Sequence, residues 1–376
     1  MHVYPARKLC GFHNIVLHDG YLHESRKQGN IYKDQYDRAD DYLFWLKNEF
    51  SNQTDLTDLG ISCNSWDSRA FNLPEYAHPT NWVTTEAIDF LRKRDPEKPF
   101  FLNISYVAPH SPLTPPSYYF DKCKEKETLP VIKSDWDFFK ERTYDIDAKF
   151  GDIGKENIKK SRRAYSALVE HIDHQIGRFL LKLGEYGLLD ETIIVFGSDH
   201  GDMLGDHSCL RKSFPYQGSI HIPLLVYDPG KNLGEKKDIN LDQIVELRDI
   251  MPSLLDFCDI DIPDTVEGSS VKGLINGKNE DLRKYLHGEH AYGKYSNHYI
   301  IDKNYKYIWY SQTGLEQFFD MKTDPHETKD LIENKDYGDL IAKYRKYLIK
   351  ELEGREEGFV KDEKLIVGRP IKTTLN

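Results

Sequence analysis

The chain has 376 residues, which is long enough to bury a sizeable core and to form two domains, or one large domain with an appendage. Its formal net charge of −11 argues against a nucleic-acid-binding protein, and the lack of any run of about eighteen apolar residues argues against a membrane-spanning one. The 5 cysteines are spaced too widely and irregularly to predict a disulfide framework or a paired zinc motif. The compartment and the oligomeric state stay open.

The first third of the chain predicts two helices and a strand. Apolar side chains keep helical register from Tyr36 to Phe50, and Thr84 can cap a second helix that closes before Pro96. The apolar segment Pro99–Val107 predicts a buried strand, and His110 follows it between two prolines. Because proline restricts the backbone on both sides, the sequence favours a fixed imidazole at the carboxyl end of a strand over an ordinary loop histidine.

The middle of the chain predicts a helix that leads into a strand. Ser161–Tyr186 carries apolar residues at three- and four-residue steps, Gly187 ends the helix, and the β-branched run Thr192–Phe196 follows. A helix followed by a buried strand is the repeating unit of a parallel sheet. The sequence therefore predicts an α/β fold with a mostly parallel central sheet flanked by helices.

A dense group of acids, imidazoles and cations follows that strand. It consists of Asp199, His200, Asp206, His207, Arg211 and Lys212. Polar side chains at the carboxyl end of a strand lie where open α/β sheets bind their ligands. An ordinary turn would explain a single Asp-His pair, but so many charged groups between two apolar segments are costly unless a metal or an anion neutralises them. We therefore predict a metal-binding or hydrolase site here.

The end of the chain has a different pattern. The Gly- and Asp-rich residues 259–284 mark a boundary, after which short aromatic strands alternate with turns and lead to a helix at Leu340–Leu352. The predicted strands are Tyr299–Ile301, Tyr305–Tyr310 and Leu315–Phe319. We predict an α/β domain at 1–284 and, at 285–376, a smaller C-terminal α+β subdomain of antiparallel strands with a terminal helix.

The charged group also carries a resemblance to a known family. The run S-D-H-G-D-M-L-G-D-H that begins at Ser198, with Lys212 and the later I-P-L-L-V, resembles the second half of the active site in the sulfatase family of the alkaline-phosphatase-like superfamily. The likeness extends over nearly the whole chain. It implies an alkaline-phosphatase-like fold, hydrolysis of sulfate esters, and a sulfated small molecule or sulfated glycan as the substrate.

The resemblance also implies roles for individual residues. The catalytic candidates are His2, His110 and Lys212, the substrate-binding candidates are His207, Lys212 and His290, and the metal ligands are Asp199 and His200. His110 would protonate the leaving oxygen as a general acid, and Lys212 would bind a sulfate oxygen as a compact point charge. His2 would contact the sulfate or the hydrated aldehyde of the family's nucleophile.

The implied cofactor is a divalent metal ion, and calcium is the first expectation. Many sulfatases carry asparagine where this chain has His200. Because calcium prefers oxygen donors, a nitrogen ligand shifts the preference toward manganese, zinc or a similar ion, and magnesium stays open. Histidine at this place also occurs in related phosphonate monoester and phosphodiester hydrolases, which are the alternative enzymatic interpretation.

The N-terminal sequence departs from the family pattern. Met1-His2 resembles the end of the family's Gly-Lys-x-His segment, and no cysteine or serine begins the Cys- or Ser-x-Pro-x-Arg motif whose first residue becomes the formylglycine nucleophile. We therefore expect an N-terminally truncated sulfatase that does not turn over sulfate esters in this form. The interpretation from another functional class is a non-catalytic module that binds sulfated glycans.

Overall fold

The computed structural model describes residues 2–3, 6–7, 9–18, 40–51, 54, 59–234, 238–278 and 281–372. The side chain of His2 and the predicted helical residues 36–39 lie outside the described part of the chain. The chain divides into two compact units. The first consists of Met1–Pro130, Arg142–Lys149 and Ile153–Leu189, and the second of Val131–Glu141, Phe150–Asp152 and Asp190–Asn376. The boundary that we predict after residue 284 lies inside the second unit.

The described part of the first unit is mainly helical. Its helices are α1 (Asp41–Glu49), α2 (Pro79–Lys93), α3 (Ser117–Cys123) and α4 (Lys155–Glu185), and two short strands, β1 (His2–Val3) and β2 (Ala6–Arg7), pair antiparallel. The helix α2 begins earlier than the predicted cap at Thr84. His78 Nδ1 accepts a hydrogen bond from the amide of Thr80 at 3.2 Å, and Pro79 fits the first turn of a helix. The long helix α4 packs against both α2 and α3.

The segment 99–107 is not a paired strand, contrary to our prediction. Its residues alternate between exposed and partly buried positions, as a strand would, but none of them forms a sheet ladder with another described residue. Phe101 is 63% exposed as a result. An apolar alternating pattern reports the tendency to be extended, whereas a strand also needs a neighbour for its backbone hydrogen bonds.

Two strands of the second unit frame the charged group. They are β3 (Ile194–Gly197) and β4 (Leu224–Tyr227), and they pair antiparallel, with Ile194 opposite Tyr227 and Gly197 opposite Leu224. The prediction of a mostly parallel central sheet is therefore not met by the strand ladders of the described residues, all of which are antiparallel. The reason is local: the chain returns from β3 to β4 through the charged loop, without the crossover helix that a parallel pair requires.

The second unit also contains the predicted antiparallel sheet and terminal helix. Its strands are β5 (Leu286–His290), β6 (Asn297–Ile301), β7 (Tyr305–Tyr310) and β8 (Glu316–Asp320), in that order across the sheet, followed by α8 (Gly338–Leu352) and the pair β9 (Val360–Lys361) and β10 (Lys364–Leu365). The shorter helices are α5 (Gln217–Ile220), α6 (Ile250–Phe257) and α7 (Lys272–Ile275). The strand β5 was not predicted.

Each face of the four-stranded sheet is covered by different residues of the same unit. On one face, Tyr307 and Trp309 pack against α8 and Phe359. On the other, Ile308 and Tyr310 pack against the aromatic residues Trp136, Phe214 and Tyr216. The segment just after the charged loop is therefore held on the sheet. Among the helices in the described ranges, none combines the length and apolar character needed to cross a bilayer.

Candidate functional site

Asp199 and His200 lie directly after β3, in a turn that fixes the imidazole ring. The amide of His200 donates to Asp199 Oδ1 at 2.9 Å, and the hydroxyl of Ser198 donates to the carbonyl of His200 at 2.7 Å. His200 Nδ1 lies 2.8 Å from the carbonyl of Gly201. Because a carbonyl only accepts hydrogen bonds, Nδ1 carries the proton of the neutral ring and Nε2 carries the lone pair.

The two side chains present their ligand atoms to the same point. His200 Nε2 lies 3.5 Å from Asp199 Oδ2, and the side chains are 30% and 81% exposed. A histidine that donates one ring nitrogen to a carbonyl and offers the other is the usual arrangement of a metal ligand. Within the described ranges, however, no third His, Cys, Asp or Glu joins this pair in a cluster of metal-binding geometry. The pair therefore fits part of a metal site.

Glycines allow the loop after His200 to approach α5 closely. The amide of Gly201 donates to the carbonyl of Ser219 at 2.7 Å, and a Cβ atom at Gly201 would lie 2.2 Å from the carbonyl oxygen of Gly218. The loop then folds back on itself, since the amide of Met203 donates to the carbonyl of Arg211 at 3.1 Å. A side chain at position 201 would displace the turn that holds the two candidate ligands.

The second Asp-His pair is part of the core of the second unit. Asp206 Oδ1 accepts a hydrogen bond from the amide of Ile132 at 2.7 Å. The ring of His207 is 2% exposed and lies 4.8 Å from that of Trp136 and 5.5 Å from that of Tyr216. Burial lowers the pKa of His207. These surroundings favour a packing role for His207 over contact with a substrate.

Lys212 lies in a charged environment, close enough to Asp202 to act on its carboxyl group. Burial raises the pKa of Asp202 to about 7, and the amide of Leu204 and the positive charges of Lys212 and Arg211 act against this rise. Asn297 Nδ2 donates to the carbonyl of Ser213, the residue after Lys212, at 3.2 Å. Since Asn297 lies opposite His290 in the β5–β6 ladder, the structure brings the Lys212 loop to the end of β5 that carries His290.

His110 belongs to the first unit. Its Nδ1 lies 2.7 Å from the carbonyl of Ser111, so that Nδ1 carries the proton of the neutral ring. The peptide bonds Ala108–Pro109 and Ser111–Pro112 are both cis, and the amide of His110 donates to the carbonyl of Val107 at 3.1 Å. The structure confirms a fixed ring between two prolines. The convergence of His110 with the residues of the second unit stays a prediction.

The one group of three metal-binding side chains in the described ranges lies elsewhere, on the four-stranded sheet. It consists of His287, Glu289 and His298, and one ligand atom of each lies within 4.8 Å of the others. Burial lowers the pKa of His287 to about 4, and the contact with His298 lowers that of Glu289 to about 2. Sequence reasoning missed both histidines. Their signal is a His-x-Glu alternation followed, after a turn, by a histidine on the next strand.

Comparison with protein families identifies the chain. The Sulfatase profile matches residues 8–260, and the profile of the N-sulphoglucosamine sulphohydrolase C-terminal region matches residues 205–354. The chain belongs to the sulfatase family. It is therefore, by family, a sulfuric ester hydrolase, and divalent-metal binding is expected of it. The resemblance given by the run from Ser198 is confirmed.

Curated relatives of this sulfatase support that assignment. An arylsulfatase of Clostridium perfringens (strain 13 / Type A) is 52% identical, across 99% of this chain and 78% of the relative. A choline-sulfatase of Rhizobium meliloti (strain 1021) is 30% identical across 74% of this chain and 55% of the relative. A multifunctional alkaline phosphatase superfamily protein of Trinickia caryophylli is 29% identical across 72% and 59%. The chain thus spans just over half the length of the last two.

Solved structures show the fold of this sulfatase to be alkaline-phosphatase-like. A phosphonate monoester hydrolase of Agrobacterium radiobacter superposes with a TM-score of 0.67 at 21% identity, covering 88% of this chain and 73% of that one. A second protein, solved in complex with its substrate D-glucosamine-2-N,6-O-disulfate, superposes with a TM-score of 0.62 at 22% identity. The superposition covers 73% of this chain and 69% of that one. The α/β fold class, the C-terminal antiparallel sheet and the terminal helix are confirmed.

Proposed function

We propose that this chain carries the metal-binding and sulfate-binding half of a sulfatase active site, directed at a sulfated small molecule or a sulfated glycan. The observation that carries the proposal is the turn after β3. There, His200 Nε2 and Asp199 Oδ2 lie 3.5 Å apart while Nδ1 is held by the carbonyl of Gly201. An exposed carboxylate beside an oriented imidazole lone pair is a ready pair of ligands for a divalent cation.

The remaining roles follow from what sulfate-ester hydrolysis demands. The sulfur is shielded by negative oxygens, so their charge must be neutralised and the leaving oxygen must receive a proton. A divalent metal, when bound, polarises the sulfate oxygens. In our proposal Lys212 binds another of those oxygens, His290 helps to hold the substrate, and His110 delivers its proton from Nε2. The buried ring of His207 stabilises the loop by packing against Trp136 and Tyr216.

The identity of the metal depends on His200. The family makes calcium the first expectation, whereas an imidazole nitrogen among the ligands favours manganese or zinc. Manganese, like zinc, accepts both oxygen and nitrogen donors, so it suits the pair Asp199 and His200. We propose manganese and calcium as the two ions to compare in binding experiments.

The 376 residues contain no Cys- or Ser-x-Pro-x-Arg motif. Formylglycine is the expected nucleophile of the family, and no residue of this chain is in a position to be converted to it by that motif. We therefore propose that the 376-residue polypeptide binds sulfate esters without turning them over. The same result is expected of the alternative, a non-catalytic module that binds sulfated glycans, except that such a module would not need the metal.

The second candidate function is hydrolysis of phosphonate monoesters or phosphodiesters. The imidazole of His200 in place of an amide favours it, because histidine at this place resembles the pattern of phosphonate monoester and phosphodiester hydrolases. A phosphonate monoester hydrolase of Agrobacterium radiobacter shares the fold of this chain, so the fold is compatible with this activity.

Calorimetric binding of 4-nitrophenyl sulfate, with 4-nitrophenol and phenyl phosphonate as comparison ligands, tests the proposal. We expect the full chain to bind the sulfate ester in the presence of Mn²⁺ or Ca²⁺, to bind it at least tenfold more weakly after chelation, and to lose a similar factor in Lys212→Ala. The aryl ester is chosen because the relative that is 52% identical is an arylsulfatase.

Each other result has a defined meaning. Binding that survives chelation would establish the non-catalytic glycan-binding interpretation, and preference for the phosphonate would establish the second candidate. Release of 4-nitrophenol by the 376-residue chain would overturn the statement about the nucleophile while leaving the sulfatase assignment intact. Equal affinity of the wild type and Lys212→Ala would remove Lys212 from the site.

A further inference from the structure

The His287–Glu289–His298 group is created by the register of two strands. In the β5–β6 ladder Glu289 lies directly opposite His298, and His287 lies two residues before Glu289 on the same strand. Side chains two residues apart in a strand share a face, and directly opposite residues of an antiparallel pair have neighbouring Cβ atoms. All three side chains therefore meet on the face of the sheet that also carries Trp309 and α8.

The hydrogen bonding of the two imidazoles is incomplete. His287 Nε2 and His298 Nδ1 are both buried, and neither makes a hydrogen bond to another residue of the described ranges. His298 Nδ1 does lie 3.1 Å from Glu289 Oε2, so the carboxylate is close but not in the direction that a ring N–H requires. Native proteins rarely bury polar atoms without partners, and binding of an ion is one of the accepted reasons when they do.

We propose that His287, Glu289 and His298 bind a zinc ion. Two imidazole nitrogens and one carboxylate oxygen are a ligand set that zinc accepts in tetrahedral geometry, with the fourth position left for water or an incoming ligand. The side chain of Glu289 is 42% exposed while that of His298 is 6% exposed, so the group is open to solvent at Glu289 and an ion has a path of entry there. This site differs from the Asp199–His200 pair and does not depend on the function proposed for that pair.

The geometry requires a small contraction on binding. Zinc ligands at about 2.0–2.2 Å from the ion lie roughly 3.5 Å from one another in a tetrahedron, so the group, whose ligand atoms lie within 4.8 Å, must close by about 1 Å. Glu289 supplies most of that movement because its side chain reaches toward solvent. His298 is already oriented, since its ring contacts Phe359 at 4.9 Å edge-on and stacks on Trp309 at 5.7 Å.

Arg355 is the group that competes with the ion. It donates to Glu289 Oε2 at 2.6 Å and to Oε1 at 3.3 Å, and it also donates to Glu357 Oε1 at 2.7 Å. A carboxylate has lone pairs for both a metal and an arginine, so Glu289 can keep Oε1 on the guanidinium while Oε2 turns to the ion. The contact with Glu357 remains in either state. The effect of zinc would be to tie the edge strand β5 to β6.

The test is a calorimetric titration of the metal-free full chain with Zn²⁺. It is carried out in the double variant Asp199→Asn/His200→Gln, so that the other metal-ligand pair does not contribute. We expect one equivalent of zinc to bind. The affinity should fall at least tenfold in His287→Gln and again in Glu289→Gln, and substitution by Co²⁺ should give the absorption bands of a tetrahedral site. His290→Gln is the matched control, because its side chain lies on the opposite face of β5.

Three results would overturn the proposed zinc site. No zinc binding in the double variant, or an unchanged affinity in His287→Gln, overturns the site. A loss in His290→Gln as large as that in His287→Gln also overturns it, because the effect would then come from disturbance of the strand. Circular dichroism of each variant shows that it is folded. The sulfate-ester proposal depends on Asp199 and His200, which are already replaced in this background. Failure to bind zinc would therefore say nothing against that proposal.

Discussion

Lys306 and Glu327 form an ion pair in which both side chains are fully buried, at 0% and 1% exposure. The ammonium group also donates to the carbonyl of Pro215 at 2.9 Å, and the second carboxylate oxygen accepts from the amide of Gln217 at 2.7 Å. Burial lowers the pKa of Lys306, and the negative charge of Glu327 opposes that effect. The pair thus attaches the end of the charged loop to the four-stranded sheet within the second unit.

Removing one partner of this pair should be strongly destabilising. Lys306→Met leaves the carboxylate of Glu327 buried without a counter-charge, and we expect the free energy of unfolding to fall by about 3–5 kcal/mol. Urea denaturation followed by tryptophan fluorescence measures it. The double variant Lys306→Met/Glu327→Leu should recover part of the loss, because no unpaired charge remains. Lys98→Met, at an ion pair whose side chains are 78% and 47% exposed, should have no measurable effect.

Acid should destabilise the first unit through two buried histidines. The rings of His78 and His171 lie 4.8 Å apart, and both side chains are buried. Burial lowers the pKa of His171 to about 4 and that of His78 well below its usual value. In the unfolded chain both histidines have a pKa of about 6.5. Between pH 4 and pH 6.5 the unfolded state therefore binds protons that the folded state does not. Stability is therefore present above about pH 6.5 and is lost as the pH falls toward 4.

The expected loss from His171 alone is about 3 kcal/mol across that pH range. Urea denaturation at a series of pH values measures the slope. His171→Gln removes the titration and keeps a donor for Asn81, the hydrogen-bond partner of His171 Nε2, so its slope should be smaller than that of the wild type. An identical slope in the variant would show that acid acts on another group. Measurements above pH 7.5 serve as the control, because the imidazoles are then neutral in both states.

Two glycines of the chain should respond oppositely to alanine. A Cβ atom at Gly201 would lie 2.2 Å from a backbone oxygen, whereas one at Gly177, inside α4, would meet nothing within 4 Å. We expect Gly201→Ala to lower the free energy of unfolding by about 1–3 kcal/mol and to weaken Mn²⁺ binding, because the turn with Asp199 and His200 must move. Gly177→Ala should raise the free energy of unfolding by about 0.5–1 kcal/mol and leave metal binding unchanged. Equal responses at the two positions would contradict the steric argument.

The elements with strong periodicity were predictable from the sequence. The strand at Tyr305–Tyr310 has the predicted bounds, and the terminal helix begins at Gly338 instead of Leu340. The helix has an apolar stripe that packs on the sheet, and the strand is aromatic and apolar on both faces, each of which is buried. Pro99–Val107 has such a pattern too, yet it forms no ladder in the described residues, since pairing depends on the partner and not on the segment alone.

The site was less predictable, because its chemistry depends on contacts between distant residues. The group of His287, Glu289 and His298 exists only through the register of β5 with β6, and β5 has too little apolar character to be recognised as a strand. The two Asp-His pairs pose a related problem. Asp199 and Asp206 have similar neighbours in the sequence. The structural role of Asp206 becomes visible only in the structure, where its carboxylate accepts a hydrogen bond from the amide of Ile132.

That distinction between the two aspartates leads to a direct test. Asp206 Oδ1 accepts the amide of Ile132 at 2.7 Å, whereas the side chain of Asp199 is 81% exposed beside His200. We expect Asp206→Ala to lower the free energy of unfolding by about 1–3 kcal/mol, because a partly buried amide loses its acceptor, and to leave the affinity for Mn²⁺ unchanged. Asp199→Ala should do the reverse, with at least a tenfold loss of Mn²⁺ affinity and no measurable loss of stability. Urea denaturation and calorimetry of the two variants measure both quantities. If folded Asp206→Ala lost Mn²⁺ binding while Asp199→Ala retained it, the assignment of the two Asp-His pairs would have to be exchanged.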